Sequence, residues 1–412
     1  MARGMLTRHR DFRLLWGGET VSELGSQVSL LAIPLTAVST LHATPFQMGA
    51  LAAATTLAFM VVSLPAGVWV DRRRRRRVMI ISDVGRMFAL GSIPVAEVLG
   101  VLHLAQLYIV ALVSGVFTVF FDVAYQSYLP SLVGRESLVE GNAKLTGSAE
   151  AAQVVGPSLA GGLVQAIGGP FAVALDAASF LVSAVAVGAI RTREQVPAVP
   201  EEGHPRLRRG IADGLRFVFG NRMLRAITAT TATANLFSGM QWAIVVIFLV
   251  HVVHASPAII GLLFAAGGAG GVLAALLASP IARRVGGARA TLLSSFAAVG
   301  GLLIPLAAPG PRVLFFGAGL VVSSFAAVVY NINQVSFRQD LCPDEMLGRM
   351  NATIRFVVFG VLPVGALAGG AIATLIGLRP TLWVAMSGQA LAGIWLLASP
   401  IRGMRDFPGR TP

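Results

Sequence analysis

Carboxylic acids interrupt the long apolar segments of this chain, and acids in such segments are candidates for proton chemistry. A charged side chain at the centre of a bilayer costs at least about 2.5 kcal/mol, so acids kept there are suspected of a function. Glu19 and Glu23 are one helical turn apart, and two carboxylates so close cannot both be ionised cheaply. We therefore predict that this pair exchanges protons. A structural role in helix capping or hydrogen bonding is the alternative.

Three further acids are proton-coupling candidates because they also lie in predicted membrane spans, namely Asp122, Glu150 and Asp176. The first of them lies beside Phe121 and Tyr125, so it can bind a proton or a cationic substrate, and an ion pair with Arg86 is the alternative. For the other two, the alternative is hydrogen bonding to polar groups of neighbouring helices.

Amides take the place of acids in the apolar segments of the second half of the chain. The residues that we assign to a substrate cavity are Phe121, Tyr125, Asn235, Gln241, Trp242, Asn331 and Gln334. Asn331 and Gln334 are three residues apart and therefore share one helical face. Amides beside aromatic rings suit a bulky, partly polar ligand. Hydrogen bonds between helices are the alternative explanation.

The composition indicates which class of protein must position these residues. Of the 412 residues, 55% are hydrophobic and only 12% are charged, and the mean hydropathy is +0.75. Soluble chains carry about 25% charged residues, so soluble enzymes, nucleic-acid-binding domains and disordered proteins are disfavoured and an integral membrane protein is expected. The one cysteine, Cys342, excludes an intrachain disulfide. The sequence has no Walker phosphate loop, nucleophile elbow or zinc-protease helix, so we expect no enzyme activity, no cofactor and no metal.

The apolar runs are long and unbroken, which predicts membrane-spanning helices and argues against the ten-residue alternation of a barrel. Breaks at Pro/Gly turns and arginine clusters divide them into twelve spans. The predicted spans are residues 14–39, 46–69, 78–99, 104–128, 143–165, 170–190, 223–250, 258–280, 289–308, 312–334, 353–376 and 379–399.

The basic residues predict the orientation of these spans. If the N-terminus is cytoplasmic, the outer loops keep only Arg312 and Arg379 of the 32 basic residues. Such asymmetry is the positive-inside pattern. We therefore expect a multi-pass protein of a bacterial-type plasma (inner) membrane with both termini in the cytoplasm. The positive charge is explained by topology, so nucleic acid is not an expected partner.

The chain has the organisation of two similar halves. We predict an N-terminal six-helix bundle over 1–190, a cytoplasmic linker with an amphipathic helix over 191–222, and a C-terminal six-helix bundle with a short cytoplasmic tail over 223–412. Adding 209 to the numbers of Ser127, Glu136 and Asn142 gives Ser336, Glu345 and Asn351, and the same register continues through the following spans. The fold class is therefore an all-α membrane protein with twelve transmembrane helices in two pseudo-symmetric bundles, in which a substrate site lies between the halves.

The loop between the second and third spans carries a candidate conformational latch. Gly67, Asp71 and Arg72 begin it, and five further arginines follow. An acid among arginines accepts charge-assisted hydrogen bonds, and an arginine cluster can bind the terminus of a helix in the other half. Asp83 and Arg86 are three residues apart and are expected to join this network. The alternative is that the arginines only set topology.

A run of small residues marks the fifth span as a close-packing helix. Ala152, Gly156 and Ala160 are four apart and line one helical face, next to Pro157 and Gly161. Small residues let two helices approach closely, and a proline removes one helical hydrogen bond. Ordinary close packing is the alternative to a specialised role.

These residues resemble motifs of the major facilitator superfamily. The segment that begins with Gly67, Asp71 and Arg72 is similar to its loop motif, and the run from Ala152 to Gly161 is similar to the antiporter motif of its exporters, although alanines replace some glycines. The segments 126–138 and 343–351 and the amphipathic stretch before the seventh span resemble the macrolide-efflux and enterobactin-exporter branch. The resemblance covers essentially the whole chain and implies a proton-driven exporter of amphiphilic small molecules, of the multidrug antiporter type.

The combined prediction is a secondary transporter that works as a monomer. Its two bundles would rock about a central path, and protons would neutralise a carboxylate of the first half while a small-molecule substrate leaves the cell. The alternative functions are import on the same scaffold, or a transport-inactive membrane partner of another protein.

Overall fold

The computed structural model describes residues 5–134, 137–192, 207–343 and 346–407, and its regular structure within these ranges is helical throughout. Helices satisfy their own backbone hydrogen bonds, which lipid cannot do. The helices of the first half are α1 (Met5–Arg8), α2 (Arg10–Ser39), α3 (Pro45–Asp71), α4 (Arg75–Val98), α5 (Leu104–Val133), α6 (Leu138–Ile167) and α7 (Gly169–Gly188). Those of the second half are α8 (Leu207–Gly220), α9 (Arg222–His251), α10 (Pro257–Val285), α11 (Gly287–Ala297), α12 (Leu314–Leu341), α13 (Leu347–Ile376), α14 (Leu378–Leu391) and α15 (Ile394–Leu397).

Within the described ranges, eleven helical segments are long and apolar enough to cross a membrane, and they correspond to eleven of the twelve predicted spans. The predicted fifth span lies within α6, which has 30 residues but a more polar composition. Glu140, Lys144 and Glu150 lie in its first half and account for that difference. The all-helical membrane fold is thus confirmed.

Two predicted spans depart from a continuous α-helix. The ninth begins as α11 and continues as a 3-10 helix over Ala298–Leu306, a stretch that contains Gly300, Gly301 and Pro305. Glycine and proline both disfavour the α-helical interior, which explains the change. The twelfth is divided into α14 and α15 by a turn at Ala392 and Gly393.

The chain forms two compact units, and each unit takes a short piece from the other half of the sequence. Unit 1 comprises Met1–Ala43, Ala54–Glu201 and Ser256–Ala265, and unit 2 comprises Thr44–Ala53, Glu202–Ala255 and Ala266–Pro412. In unit 1, α2 packs on α6 and α7, and α4 packs on α5 and α7; in unit 2, α9 packs on α13 and α14.

Glycines allow the segments Ser256–Ala265 and Thr44–Ala53 to pack closely against the helices of units 1 and 2, respectively. In unit 1, Gly161 of α6 meets the start of α10, where an added Cβ would lie 3.0 Å from the Cα of Gly261. In unit 2, Gly370 of α13 meets the start of α3, where an added Cβ would lie 3.1 Å from the Cα of Gly49. Gly161 and Gly370 are the predicted repeat partners, so the two halves make the same kind of helix crossing.

The amphipathic segment before the seventh span is helical, as α8. Val218 is buried with Met350 and Ile354 of α13, whereas Leu215 and Phe219 are exposed. Asp213 and Arg349 form an ion pair with an N–O distance of 3.5 Å at the same contact. Part of the apolar side of α8 therefore packs on unit 2. The side chains of Leu207 and Ile211, and the linker residues 193–206, lie outside the described residues.

Candidate functional site: a buried acid–arginine network in unit 1

An ion pair on α4 lies inside unit 1. Arg86 donates from Nη2 to Oδ1 of Asp83 at 2.5 Å, and the two side chains are 7% and 0% exposed. The two residues are three apart, so they share one face of the helix. A buried charge needs a partner, because taking an unpaired ion out of water costs several kcal/mol.

Aromatic rings hold the guanidinium from two sides. The Cζ of Arg86 lies 4.5 Å from the ring centroid of Phe121 on α5 and 4.0 Å from that of Phe180 on α7. Tyr125 stacks on Phe121 with 6.1 Å between centroids and 14° between planes. Phe121, which is 2% exposed, therefore serves to clamp Arg86, and Tyr125 is the more accessible of the two predicted cavity aromatics.

Glu19 of α2 belongs to the same network. Its Oε2 is buried and has no hydrogen-bond partner among the residues that the structure describes. Its charge interacts with those of Arg86, Asp83, Glu23 and Asp122. One arginine cannot neutralise Asp83, Glu19 and Glu23 together, and Arg86 is already bound to Asp83. Glu19 is therefore the acid with the clearest need for a proton.

Glu23 is supported by the close-packing helix α6. Gln27 donates from Nε2 to Oε1 of Glu23 at 3.2 Å. Gly156 packs directly against the side chain of Gln27, so a larger residue there would displace it. The small-residue face of α6, in which Ala152 and Ala160 are also buried, thus has a direct structural connection to an acid of the network.

The remaining acids differ in their surroundings. Asp176 of α7 is 1% exposed and accepts a hydrogen bond from Ser179 Oγ at 3.2 Å. Its charge also interacts with Arg86 and Glu23, so it borders the network. Glu150 is exposed on α6, and the structure does not bring it to the other acids.

The predicted latch is divided between two places. Asp83 and Arg86 belong to the buried network, whereas Arg72 is exposed and Gly67 is half-buried. The side chain of Asp71 lies outside the described part of the chain. Arg76 donates to the carbonyl of Val187 at 3.0 Å and to that of Gly188, so this arginine binds the C-terminus of α7, a helix of its own unit.

In unit 2, two of the predicted cavity amides join helices together. Asn235 donates to the carbonyl of Val358 at 2.7 Å, and Gln241 accepts from Gln389 at 2.9 Å. These are the interhelical bonds that the sequence left as an alternative. Trp242 is 50% exposed on the surface of α9.

The other two predicted amides share a face of α12. Gln334 donates to Oδ1 of Asn331 at 2.9 Å, and its own Oε1 is buried without a hydrogen-bond partner in the described ranges. Tyr330 lies on the same face, and its hydroxyl is 2.9 Å from Thr231 Oγ1 on α9.

The repeat shows why the network exists in only one half. Helices α2 and α9 have bounds 212 residues apart, and so do His42 and His254, both of which have positive φ. With these offsets the acids Glu19, Glu23, Asp83 and Asp122 correspond to Thr231, Asn235, Ser295 and Asn331. These four acids of unit 1 thus each have a neutral polar counterpart in unit 2. The segments 41–45 and 253–257, Leu-His-Ala-Thr-Pro and Val-His-Ala-Ser-Pro, were the sequence signal for this second offset.

A stability test distinguishes two glycines of α6. An added Cβ at Gly156 would collide with Gln27, whereas at Gly162 it would meet nothing within 4 Å. We expect Gly156→Ala to lower stability by about 1–3 kcal/mol through overpacking, measured as a lower Tm of the purified protein in detergent. Gly162→Ala is the matched control and should be neutral or stabilising. Equal effects of the two substitutions would contradict the packing argument.

Comparisons with known proteins agree with a transporter fold. A family model described as Major Facilitator Superfamily matches residues 15–357. The multidrug efflux pump Tap of Mycolicibacterium fortuitum is 24% identical over 383 residues, which cover 90% of this chain and 91% of that protein. The enterobactin exporter EntS of Citrobacter koseri is 25% identical over 412 residues, which cover 98% of this chain and 94% of that protein. A solved structure of a bacterial homologue of the iron transporter ferroportin, in an inward-facing state, has a TM-score of 0.76 and 18% identity and covers 96% of this chain and 99% of that chain.

Proposed function

Because this chain belongs to the Major Facilitator Superfamily, we propose that it exports amphiphilic small molecules in exchange for protons. It is a multi-pass membrane transporter. Beyond family membership, we propose export as the direction of transport and the proton as the coupling ion. We also propose that the protein lies in a bacterial inner membrane with both termini in the cytoplasm, and that it works as a monomer without a cofactor. The names of the relatives Tap and EntS, an efflux pump and an exporter, support the direction.

The observation that carries proton coupling is the buried Oε2 of Glu19, for which the described part of the chain supplies no hydrogen-bond partner. With Arg86 bound to Asp83, ionised Glu19 and Glu23 would leave excess negative charge inside the membrane. A proton on Glu19 removes part of that excess and lowers the cost of the state in which the acids are shielded from water. Proton release into the cytoplasm restores the charge, so the occupancy of Glu19 can follow the transport cycle.

Dye efflux tests the direction and the coupling. Cells that lack their own drug pumps and express this chain should lose preloaded rhodamine 6G faster than cells with an empty vector. An uncoupler that collapses the proton gradient should remove the difference. Faster uptake in the expressing cells would instead indicate import. The absence of any difference for rhodamine 6G, erythromycin and a catecholate siderophore would contradict the proposal.

A further inference from the structure

Arg338, in the last turn of α12, is a partly buried cation that has no counter-charge among the residues that the structure describes. Its Nε is buried, and its guanidinium makes no hydrogen bond or ion pair with the residues that the structure describes. It differs in this respect from Arg86 of unit 1, which is bound to Asp83 and clamped between two rings.

The described part of the second half offers few acids that could neutralise this arginine, and Asp344 and Glu345 lie outside that part. Residues 214–339 and 346–405 contain no aspartate and no glutamate. Asp340 is exposed, and Asp213 is bound to Arg349. The carbonyls at the end of α12 favour a cation, but a helix C-terminus compensates only weakly for the loss of hydration. The charge is therefore retained at a cost, and an anion from outside the chain would remove that cost.

One turn away, a second polar atom, Oε1 of Gln334, has no hydrogen-bond partner in the described ranges either. Gln334 is 2% exposed and its Oε1 accepts no hydrogen bond from the described residues, while its amide nitrogen is held by Asn331. Gln334 and Arg338 are four residues apart and so face the same side of α12. Tyr330, one turn before Gln334, lies on the same side of the helix. The same side of α12 thus carries a guanidinium and, one turn before it, an amide oxygen without a hydrogen-bond partner among the described residues.

We propose that Arg338 binds an anionic group of the transported molecule, a carboxylate or a phenolate, and that Gln334 accepts a hydrogen bond from an adjacent hydroxyl or N–H. This inference rests on the proposed transport function and adds a charge preference to it. The guanidinium suits such a group because its donors form two parallel hydrogen bonds with paired oxygens. A phosphate of an anionic lipid offers the same chemistry, so the test must separate the two sources.

Binding of carboxyfluorescein tests the charge preference directly. The full chain is reconstituted in vesicles of phosphatidylcholine, and fluorescence anisotropy is compared for the wild type, Arg338→Gln and Arg338→Lys. We expect Arg338→Gln to weaken binding at least about tenfold, and Arg338→Lys to weaken it less, because the charge remains and the fork is lost. Arg355→Gln is the matched control, since Arg355 is an exposed arginine of α13 and should leave binding within about twofold.

Three outcomes would overturn the inference. In the first, Arg338→Gln binds carboxyfluorescein as well as the wild type does. In the second, it loses the anionic dye and the cationic dye rhodamine 6G to the same extent, which would indicate a general structural defect. In the third, phosphatidylglycerol added to the vesicles abolishes dye binding to the wild type at physiological proportions, which would assign the arginine to lipid. Efflux of rhodamine 6G from cells is measured in parallel. If the wild type exports rhodamine 6G but Arg338→Gln binds carboxyfluorescein normally, the anion-binding inference is wrong and the proposed transport function stands. If the wild type exports nothing, the proposed transport function itself is contradicted.

Discussion

The substitution Glu19→Gln is expected to reduce proton-coupled efflux to the level of cells without the transporter. Glutamine keeps the size of the side chain and its ability to form hydrogen bonds, but it cannot release a proton. The variant should therefore remain folded, because the substitution permanently lowers the excess negative charge of the network. It should no longer exchange protons for substrate. Proteoliposomes that contain a pH-sensitive dye report this directly, because addition of substrate to the wild type should change the internal pH.

Two matched variants make that experiment interpretable. Glu150→Gln removes a carboxylate that is exposed on α6, so it should leave coupling unchanged. Glu23→Gln removes the acceptor of the Gln27 hydrogen bond, and we expect partial loss, since Glu23 shares the network but has a partner. Full uncoupler-sensitive transport by Glu19→Gln would show that the proton is carried elsewhere, and a defect of Glu150→Gln of equal size would show that the effect is not specific.

The elements of the fold could be predicted from local sequence patterns. Apolar length sets the number of spans, and the Pro/Gly turns and arginine clusters mark their ends, so the predicted bounds of most spans lie within a few residues of the helices. The backbone conformation in the interior of the ninth span could not be predicted. The run that contains Gly300, Gly301 and Pro305 is apolar enough to cross a membrane, but hydropathy does not report that the backbone changes to a 3-10 helix there.

The site was predictable only where its residues are neighbours in the chain. The four-residue spacing of Glu19 and Glu23 and the three-residue spacing of Asp83 and Arg86 are local, and each pair was recognised. That these pairs lie together in one network could not be predicted from the sequence. Phe180, for example, is on α7, and no spacing along the chain relates it to Arg86. Arg338 has no distinguishing pattern in the sequence, and its lack of a partner among the described residues becomes visible only when its surroundings are known.

The ion pair of Asp83 and Arg86 yields the largest expected effect on stability. Arg86→Met should destabilise the protein by about 3–5 kcal/mol, because it leaves Asp83, whose side chain is 0% exposed, as a buried charge without its partner. Asp83→Asn leaves the cation between two rings, which compensate in part, so its cost should be smaller. The double variant removes both charges and should recover much of the loss, since replacing a buried ion pair by uncharged groups is often nearly neutral.

The exposed pair of Asp213 and Arg349 supplies the control for this cycle. Its side chains are 38% and 43% exposed, so Arg349→Met should cost at most about 1 kcal/mol. Unfolding by denaturant in detergent micelles, followed by tryptophan fluorescence, measures all four variants on one scale. If Arg86→Met costs no more than Arg349→Met, the pair is not desolvated as its burial indicates. If the double variant loses as much stability as the two single variants together, the two charges do not depend on each other. The argument that Arg86 is occupied by Asp83, and that Glu19 is therefore left to bind the proton, would then have no energetic basis.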